Sequence, residues 1–263
     1  MGNVDKMGGI EPAVPKDVLL QTRLAMPPTH GCFVSRPRLT VQLEGMAAGQ
    51  VTLLSAPAGF GKTTLIAEWA RQQNGRVAWL SLDEGDNEPV CFWRYVIAAL
   101  QTVAANAGQQ ALAALERTTP EAGERPLALL LNELTTTASA AHPITLVLDD
   151  YHLIHTNSIH QDLSFFLYHQ PQSLNVIILS RADPPLALAR LRVQGRLQEL
   201  RAADLRFTPE EMNTFFTCAL NFALPAEAMT TLTGRIEGWA AGLQLAAMSL
   251  KGLPAAEREP FIH

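Results

Sequence analysis

The chain has 263 residues, of which 48% are hydrophobic and only 17% charged, with a net charge of −5. That is enough chain and apolar mass for one large domain, or one domain with a helical appendage. The negative balance excludes a domain whose main task is gripping nucleic acid through its phosphates. Three widely spaced cysteines, Cys32, Cys91 and Cys218, read as reduced thiols of a cytoplasmic protein and not as a disulfide framework. No apolar run approaches a membrane span, and the N-terminus lacks the basic-then-apolar build of a signal peptide.

Residues 1–18, rich in Gly, Pro and isolated charges, are expected to be a disordered leader. Residues 19–50 read as an extended lead-in segment followed by a short helix near 38–47. The first strand is 51–56, followed by a helix over 62–73 with Leu65, Ile66, Trp69 and Ala70 on one face. A second strand runs from Arg76 to Leu82. An acidic loop over 83–88 then leads into a helix from Pro89 to Ala105, and further helices are expected over 108–117 and 126–140. The continuous apolar run Ile144–Leu148 reads as a parallel strand buried on both faces. A helix over 158–169 should follow, capped by Asn157. Val176–Leu179 is another buried strand, 184–194 a short helix, and Leu197–Leu200 a last short strand. Thr208-Pro209-Glu210-Glu211 carries a capping box with proline at the first helical position. From there to Leu250 the pattern is helical, with turns near 221–225 and 234–237. Strand–helix alternation followed by helices alone reads as a parallel α/β sheet with a helical cap.

The most informative stretch is Val51 to Thr64, where a β-branched apolar run ends in Ala56-Pro57-Ala58-Gly59-Phe60-Gly61-Lys62-Thr63-Thr64 and a helix begins. Strand, glycine-rich loop and helix in that order form a phosphate-binding P-loop. Loop amides and the helix N-terminus cradle a polyphosphate, Lys62 reaches its outer phosphates, and the Thr63 hydroxyl ligates Mg²⁺. The strict pattern opens with Gly where this chain has Ala56. The closest backbone approach falls later, at Gly59 and Gly61.

Asp149-Asp150, at the end of an apolar strand, form a Walker B pair. Asp149 serves the Mg²⁺ and Asp150 polarises an attacking water. Arg181, at the end of the next strand, has the fork geometry to sense a γ-phosphate. Residues 76–82 imply an extra strand between the P-loop and Walker B strands. That feature, and the lack of a guanine-reading Asn-Lys-x-Asp, favour ATP over GTP. His152, His155 and His160 are poorly spaced as metal ligands and read as surface or helix-cap residues. The arginines at 181, 190, 192, 196, 201 and 206 lack interleaved aromatics and read as mostly solvated. Trp79, Trp93 and Trp239 read as core or packing residues.

Taken together, Ser-Arg-Pro-Arg-Leu (35–39), the P-loop, Ala-Trp-Leu-Ser-Leu-Asp-Glu-Gly-Asp-Asn (78–87), Leu-Val-Leu-Asp-Asp-Tyr-His (146–152), Leu-Ser-Arg-Ala-Asp-Pro-Pro-Leu (179–186), Leu-Arg-Phe-Thr (205–208) and Glu-Gly-Trp-Ala-Ala-Gly-Leu-Gln-Leu (237–245) resemble the large ATP-dependent LuxR-type transcriptional regulators. These belong to the signal-transduction ATPases with numerous domains. The resemblance covers residues 19–263. It implies a P-loop NTPase domain over 19–206, a small helical subdomain over 207–252, and the start of a following domain, cut short, over 253–263. It also implies a switch that binds ATP or ADP with Mg²⁺, hydrolyses ATP slowly and self-associates in response to an unnamed inducer. Arg36 would lie near adenine, and the Gly238–Gly242 motif would pack over the nucleotide. The DNA-reading and inducer-binding modules of such regulators would fall outside these residues, so no direct DNA contact is expected of this chain. The alternatives are a stand-alone ATPase or kinase with productive turnover, and an inert decoy that still binds partner regulators.

Overall fold

The computed structural model describes residues 19–28, 31–117 and 124–254. The expected leader, and nearly all of the expected following domain, lie outside them. Five strands form one sheet in the order β2-β3-β4-β1-β5, and every pairing is parallel. The elements run α1 (Pro37–Glu44), β1 (Val51–Ser55), α2 (Lys62–Arg71), β2 (Val77–Ser81), α3 (Pro89–Gln101), α4 (Gln109–Glu116), α5 (Arg125–Thr137), β3 (Ile144–Asp149), α6 (Asn157–His169), β4 (Leu174–Ser180), α7 (Leu188–Val193), β5 (Leu197–Arg201), α8 (Ala202–Leu205), α9 (Pro209–Leu220), α10 (Ala226–Ile236) and α11 (Ala240–Gly252).

Strand alternation sends successive side chains to opposite faces, and both faces of this sheet are covered. Leu53, Leu80, Leu146, Leu148, Val176 and Ile178 join α3 to α6 in one core. Leu54, Trp79, Val147, Ile177 and Leu179 join Leu39 and Leu43 of α1 and Leu65, Ile66 and Trp69 of α2 in the other. The predicted apolar face of α2 is therefore the buried one. Helices α9 to α11 build a third core of their own around Met212, Phe216, Leu232, Leu243 and Leu250.

Several expectations need correcting. The strand that separates the P-loop strand from the Walker B strand in space is β4, while the 76–82 strand lies at the sheet edge as β2. Sequence order misled because the crossovers carry the chain past its neighbours. Asn157 is the first residue of α6 and not its cap, and Thr156 holds the cap position with its hydroxyl donating to the Asn87 carbonyl at 2.7 Å and not bonded to the helix amides. The side chain of Asn87, in the neighbouring turn, instead fixes the approach to the helix, accepting from the amides of His155 and Thr156 at 2.6 and 3.1 Å. Cys32 and Cys218 form a disulfide with Cα atoms 5.8 Å apart, and Cys91 is free. The fold brings the two residues together across 186 positions, a proximity that spacing cannot reveal. The arginine stretch is mostly tied up internally. Arg192 pairs with Glu199, Arg201 with Asp183 and Glu199, and Arg206 with Glu237, while Arg190 stacks over Tyr168 at 3.9 Å.

Candidate nucleotide site

The strand register fixes the site. Ser55 is opposite Ser180 on β4, and Ser81 of β2 is opposite Asp149 of β3. The loop after β1, the acids at the end of β3 and Arg181 after β4 therefore share the C-terminal edge of the sheet, where a doubly covered parallel sheet carries its ligands.

The loop backbone turns through left-handed geometry at Gly59 (φ 79°) and Gly61 (φ 74°), which side chains resist. Gly61 also takes the N-cap position of α2, and no side chain caps that helix. Its first-turn amides are left to an anion. Ala56 is buried, so a methyl is accommodated where the strict motif has Gly. Phe60 packs against the α1/α2 core, leaving its backbone to the loop. Lys62 is buried and its Nζ donates to the carbonyls of Ala56 and Pro57 at 2.6 and 3.0 Å. Burial lowers its pKa, the charges of Asp150 and Asp149 oppose that shift, and Arg181 adds to it.

The Thr63 hydroxyl donates to Asp149 Oδ1 at 3.1 Å. Burial, with the charge of Asp150 beside it, pushes the Asp149 carboxyl up to about 6. A buried carboxylate held against a threonine hydroxyl at a helix start fits a divalent cation, which would relieve that desolvation. Asp150 adopts left-handed backbone geometry at φ 56° and its side chain is 47% exposed. The pair is therefore divided, with one acid facing the threonine and the other open to solvent. Arg181 is exposed at the end of β4.

His155 is exposed, as the surface reading has it, while His152 and His160 depart from that reading. His160 is buried and shares a 2.8 Å hydrogen bond with the Tyr151 hydroxyl. His152 has both ring nitrogens buried without a hydrogen bond among the described residues, and its Nδ1 lies 3.8 Å from Asp150 Oδ1.

A cavity of about 280 Å³ opens beside the loop. Gly61, Thr64 and Leu65 line one side, Phe33, Val34 and Arg36 the second, and Phe207, Phe215, Ala240 and Leu243 the third. Apolar walls with a few polar groups beside a phosphate cradle suit a nucleoside. Arg36 lines this space, yet its guanidinium is committed elsewhere. It is 4% exposed, donates to the Leu205 carbonyl, lies 3.6 Å from Glu211 and stacks over Phe207 at 4.4 Å. Burial pulls its pKa down to about 10.

Two contacts were invisible in the sequence. The Trp239 indole donates to the Ala58 carbonyl at 3.2 Å, and the Ala241 amide donates to the Gly59 carbonyl at 2.9 Å. A Cβ on Gly59 would come within 2.7 Å of the Ala241 Cβ and 2.8 Å of the Trp239 Nε1. Trp239 is thus no core residue but a clamp on the phosphate loop. The glycine pair in Gly-Trp-Ala-Ala-Gly was the available hint, since such spacing marks close backbone approach.

A parallel sheet with this strand order, a phosphate loop before α2 and paired acids after β3 define a P-loop ATPase. Residues 36–179 match the AAA ATPase domain, and the chain belongs to that family. The HTH-type transcriptional regulator MalT of Yersinia enterocolitica is 40% identical over 232 residues, 88% of this chain and 25% of that protein. MalT of Klebsiella pneumoniae is 38% identical over 234 residues, 89% of this chain and 26% of that protein. The chain therefore spans about a quarter of the length of these relatives. In fold it is similar to a signal-transduction ATPase with numerous domains, one with a tetratricopeptide repeat sensor, from Pyrococcus horikoshii. The TM-score is 0.59 at 16% identity, over 90% of this chain and 33% of that one. Among the described residues no helix is long and apolar enough to cross a membrane.

Proposed function

We propose that this chain is the ATP/ADP-binding switch module of a LuxR-type transcriptional regulator, with residues 19–206 as the NTPase domain and 207–252 as a subdomain that reads the bound nucleotide. The observation that carries the proposal is the direct bonding of Trp239 and Ala241 to the carbonyls of Ala58 and Gly59. Any shift of the loop around a phosphate must move the start of α11. A catalyst has no need of that linkage, but a switch depends on it.

The geometry supports the following roles. The loop amides and the α2 N-terminus bind the phosphates, and Lys62 turns its three donors from loop carbonyls to phosphate oxygens. Thr63 and Asp149 would hold Mg²⁺, which would supply positive charge against the phosphates. Asp150, open to solvent, orients a water and accepts its proton as the water oxygen attacks the γ-phosphorus and the bond to the ADP oxygen breaks. Arg181 senses the γ-phosphate, and the nucleoside fills the cavity beside Val34. An inducer, self-association and transcriptional output belong to the whole regulator.

Calorimetry with ADP and ATP in the presence of magnesium tests the reading. We expect binding that Lys62→Ala weakens by at least about 100-fold, since two lost charge-assisted bonds contribute ~1.5–3 kcal/mol each. Turnover should stay near roughly 10⁻⁴ to 10⁻² per second, as for switch NTPases without an activating partner. Absence of adenine-nucleotide binding by folded protein, or many turnovers per second, overturns it.

A further inference from the structure

The Cys32–Cys218 bond joins two walls of the nucleoside cavity. Cys32 lies in the extended segment that supplies Phe33, Val34 and Arg36 to one wall. Cys218 sits near the end of α9, the helix that supplies Phe215 to the facing wall. Among the described residues none hydrogen-bonds to the backbone of residues 31–35. Those residues are held by the buried Val34 side chain, by the Arg36 tether that follows, and by the disulfide. Cutting the bond removes the outermost of three anchors on that wall.

The pair is built for exchange with solution. The Cα separation of 5.8 Å suits a bridge without backbone movement. Cys218 is exposed and Cys32 half-buried, so a small thiol reaches the bond. The third cysteine, Cys91, lies away from the cavity on α3, against the core on the other face of the sheet. A bond placed at random on the surface would bear on no ligand, whereas this one ties Cys32, in the lining of the cavity beside the phosphate loop, to the helix that supplies Phe215 to the same cavity.

We propose that Cys32 and Cys218 are a reversible thiol-oxidation site that sets how long a nucleotide stays bound. The proposal rests on the nucleotide-binding reading above. The co-reactant is a low-molecular-weight disulfide. One cysteine thiolate attacks it, a mixed disulfide forms and one small thiol leaves. The second cysteine thiolate then displaces the remaining small thiol and closes the intramolecular bond. Two protein thiols are oxidised, one external disulfide is reduced to two thiols, and no further electron source is needed. The reverse exchange reopens the wall. By linkage, a bond that tightens nucleotide must itself be stabilised by nucleotide to the same extent.

The experiment follows release of a fluorescent ADP analogue, chased with excess ADP, from protein equilibrated with oxidised glutathione or with dithiothreitol. Peptide mass mapping scores the Cys32–Cys218 bridge in each sample. We expect release to be about tenfold slower in the bridged protein, within the usual range of coupling between sites. Cys32→Ser and Cys218→Ser should release at the fast rate in both media, and Cys91→Ser should keep the full difference. Where the bridged protein also binds ADP tenfold tighter at equilibrium, saturating ADP should shift the bridge's midpoint in a glutathione titration by that same tenfold, about 30 mV for a two-electron couple. Equal release rates from fully bridged and fully reduced protein, or no bridge under oxidant, overturn the inference while nucleotide binding stands. Absence of nucleotide binding in both media overturns the functional reading and this inference together.

Discussion

The sheet and the three-helix cluster α9–α11 are held in place by different physics. Every residue of β1, β3 and β4 is buried, and each of these strands has a hydrogen-bonded neighbour on both sides. The positions of Asp149, Arg181 and the phosphate loop are therefore set by a framework that cannot shift piecemeal. The cluster has its own small core and meets the rest through a few discrete links. Arg36 and Arg38 reach Glu211 and the carbonyls of Asp204, Leu205 and Arg206. Trp239 and Ala241 reach the loop, and Cys218 reaches Cys32. A few separable links allow two discrete arrangements, which a continuous core forbids, so the movement that the proposed switch calls for would fall to the cluster.

Breaking the strongest link should show the contrast most plainly. Glu211→Ala leaves Arg36 buried without its carboxylate and removes the capping box with Thr208. Losing one partner of a buried pair costs about 3 kcal/mol, read as a lower denaturant midpoint for Trp239 fluorescence. A loss below about 1 kcal/mol would mean that solvent screens the link. Gly59→Ala comes next, because its Cβ meets Ala241 and its backbone is left-handed. We expect a loss of about 2 kcal/mol, with faster amide exchange at Ala240 and Ala241. Gly61→Ala has 3.6 Å of clearance to Ala240 and pays only for its backbone, so it should leave those amides protected. Trp239→Phe deletes one hydrogen bond to Ala58 and should cost about 1 kcal/mol. It loosens the start of α11 without touching the sheet.

The smallest effect falls inside the sheet half. Burial, then the charge of His155, holds His160 below its ordinary pKa, so the unfolded chain takes up a proton first as the pH falls. Stability should decline as pH drops through about 6.5, and His160→Gln should flatten that slope in denaturant titrations at successive pH values. An unchanged slope would show that His160 titrates alike in both states.

The sheet half and the start of α9 were legible because their signals are local. Apolar runs of strand length, the α2 periodicity and the Thr208–Glu211 box each lie within a few residues, and each formed where expected. The continuous run Ile144–Leu148 even declared that β3 is covered on both faces. What escaped the sequence was contact between distant segments. The Arg36 tether to Leu205, the indole on Ala58 and the bridge between Cys32 and Cys218 join residues far apart in the chain. Three cysteines without a spacing pattern gave no ground for pairing two of them. Strand order was hidden for the same reason, since no local feature tells which strand will lie beside β1.

That last point bears on how the protein is made. β1 carries the phosphate loop, yet both of its neighbours, β4 and β5, are translated long after it. A chain emerging from the ribosome holds Gly59, Lys62 and Thr63 in the open until Leu197–Arg201 has followed. On the proposed reading, the newborn polypeptide has no settled grip on a nucleotide until Arg201 is available, so products interrupted before that strand should bind none.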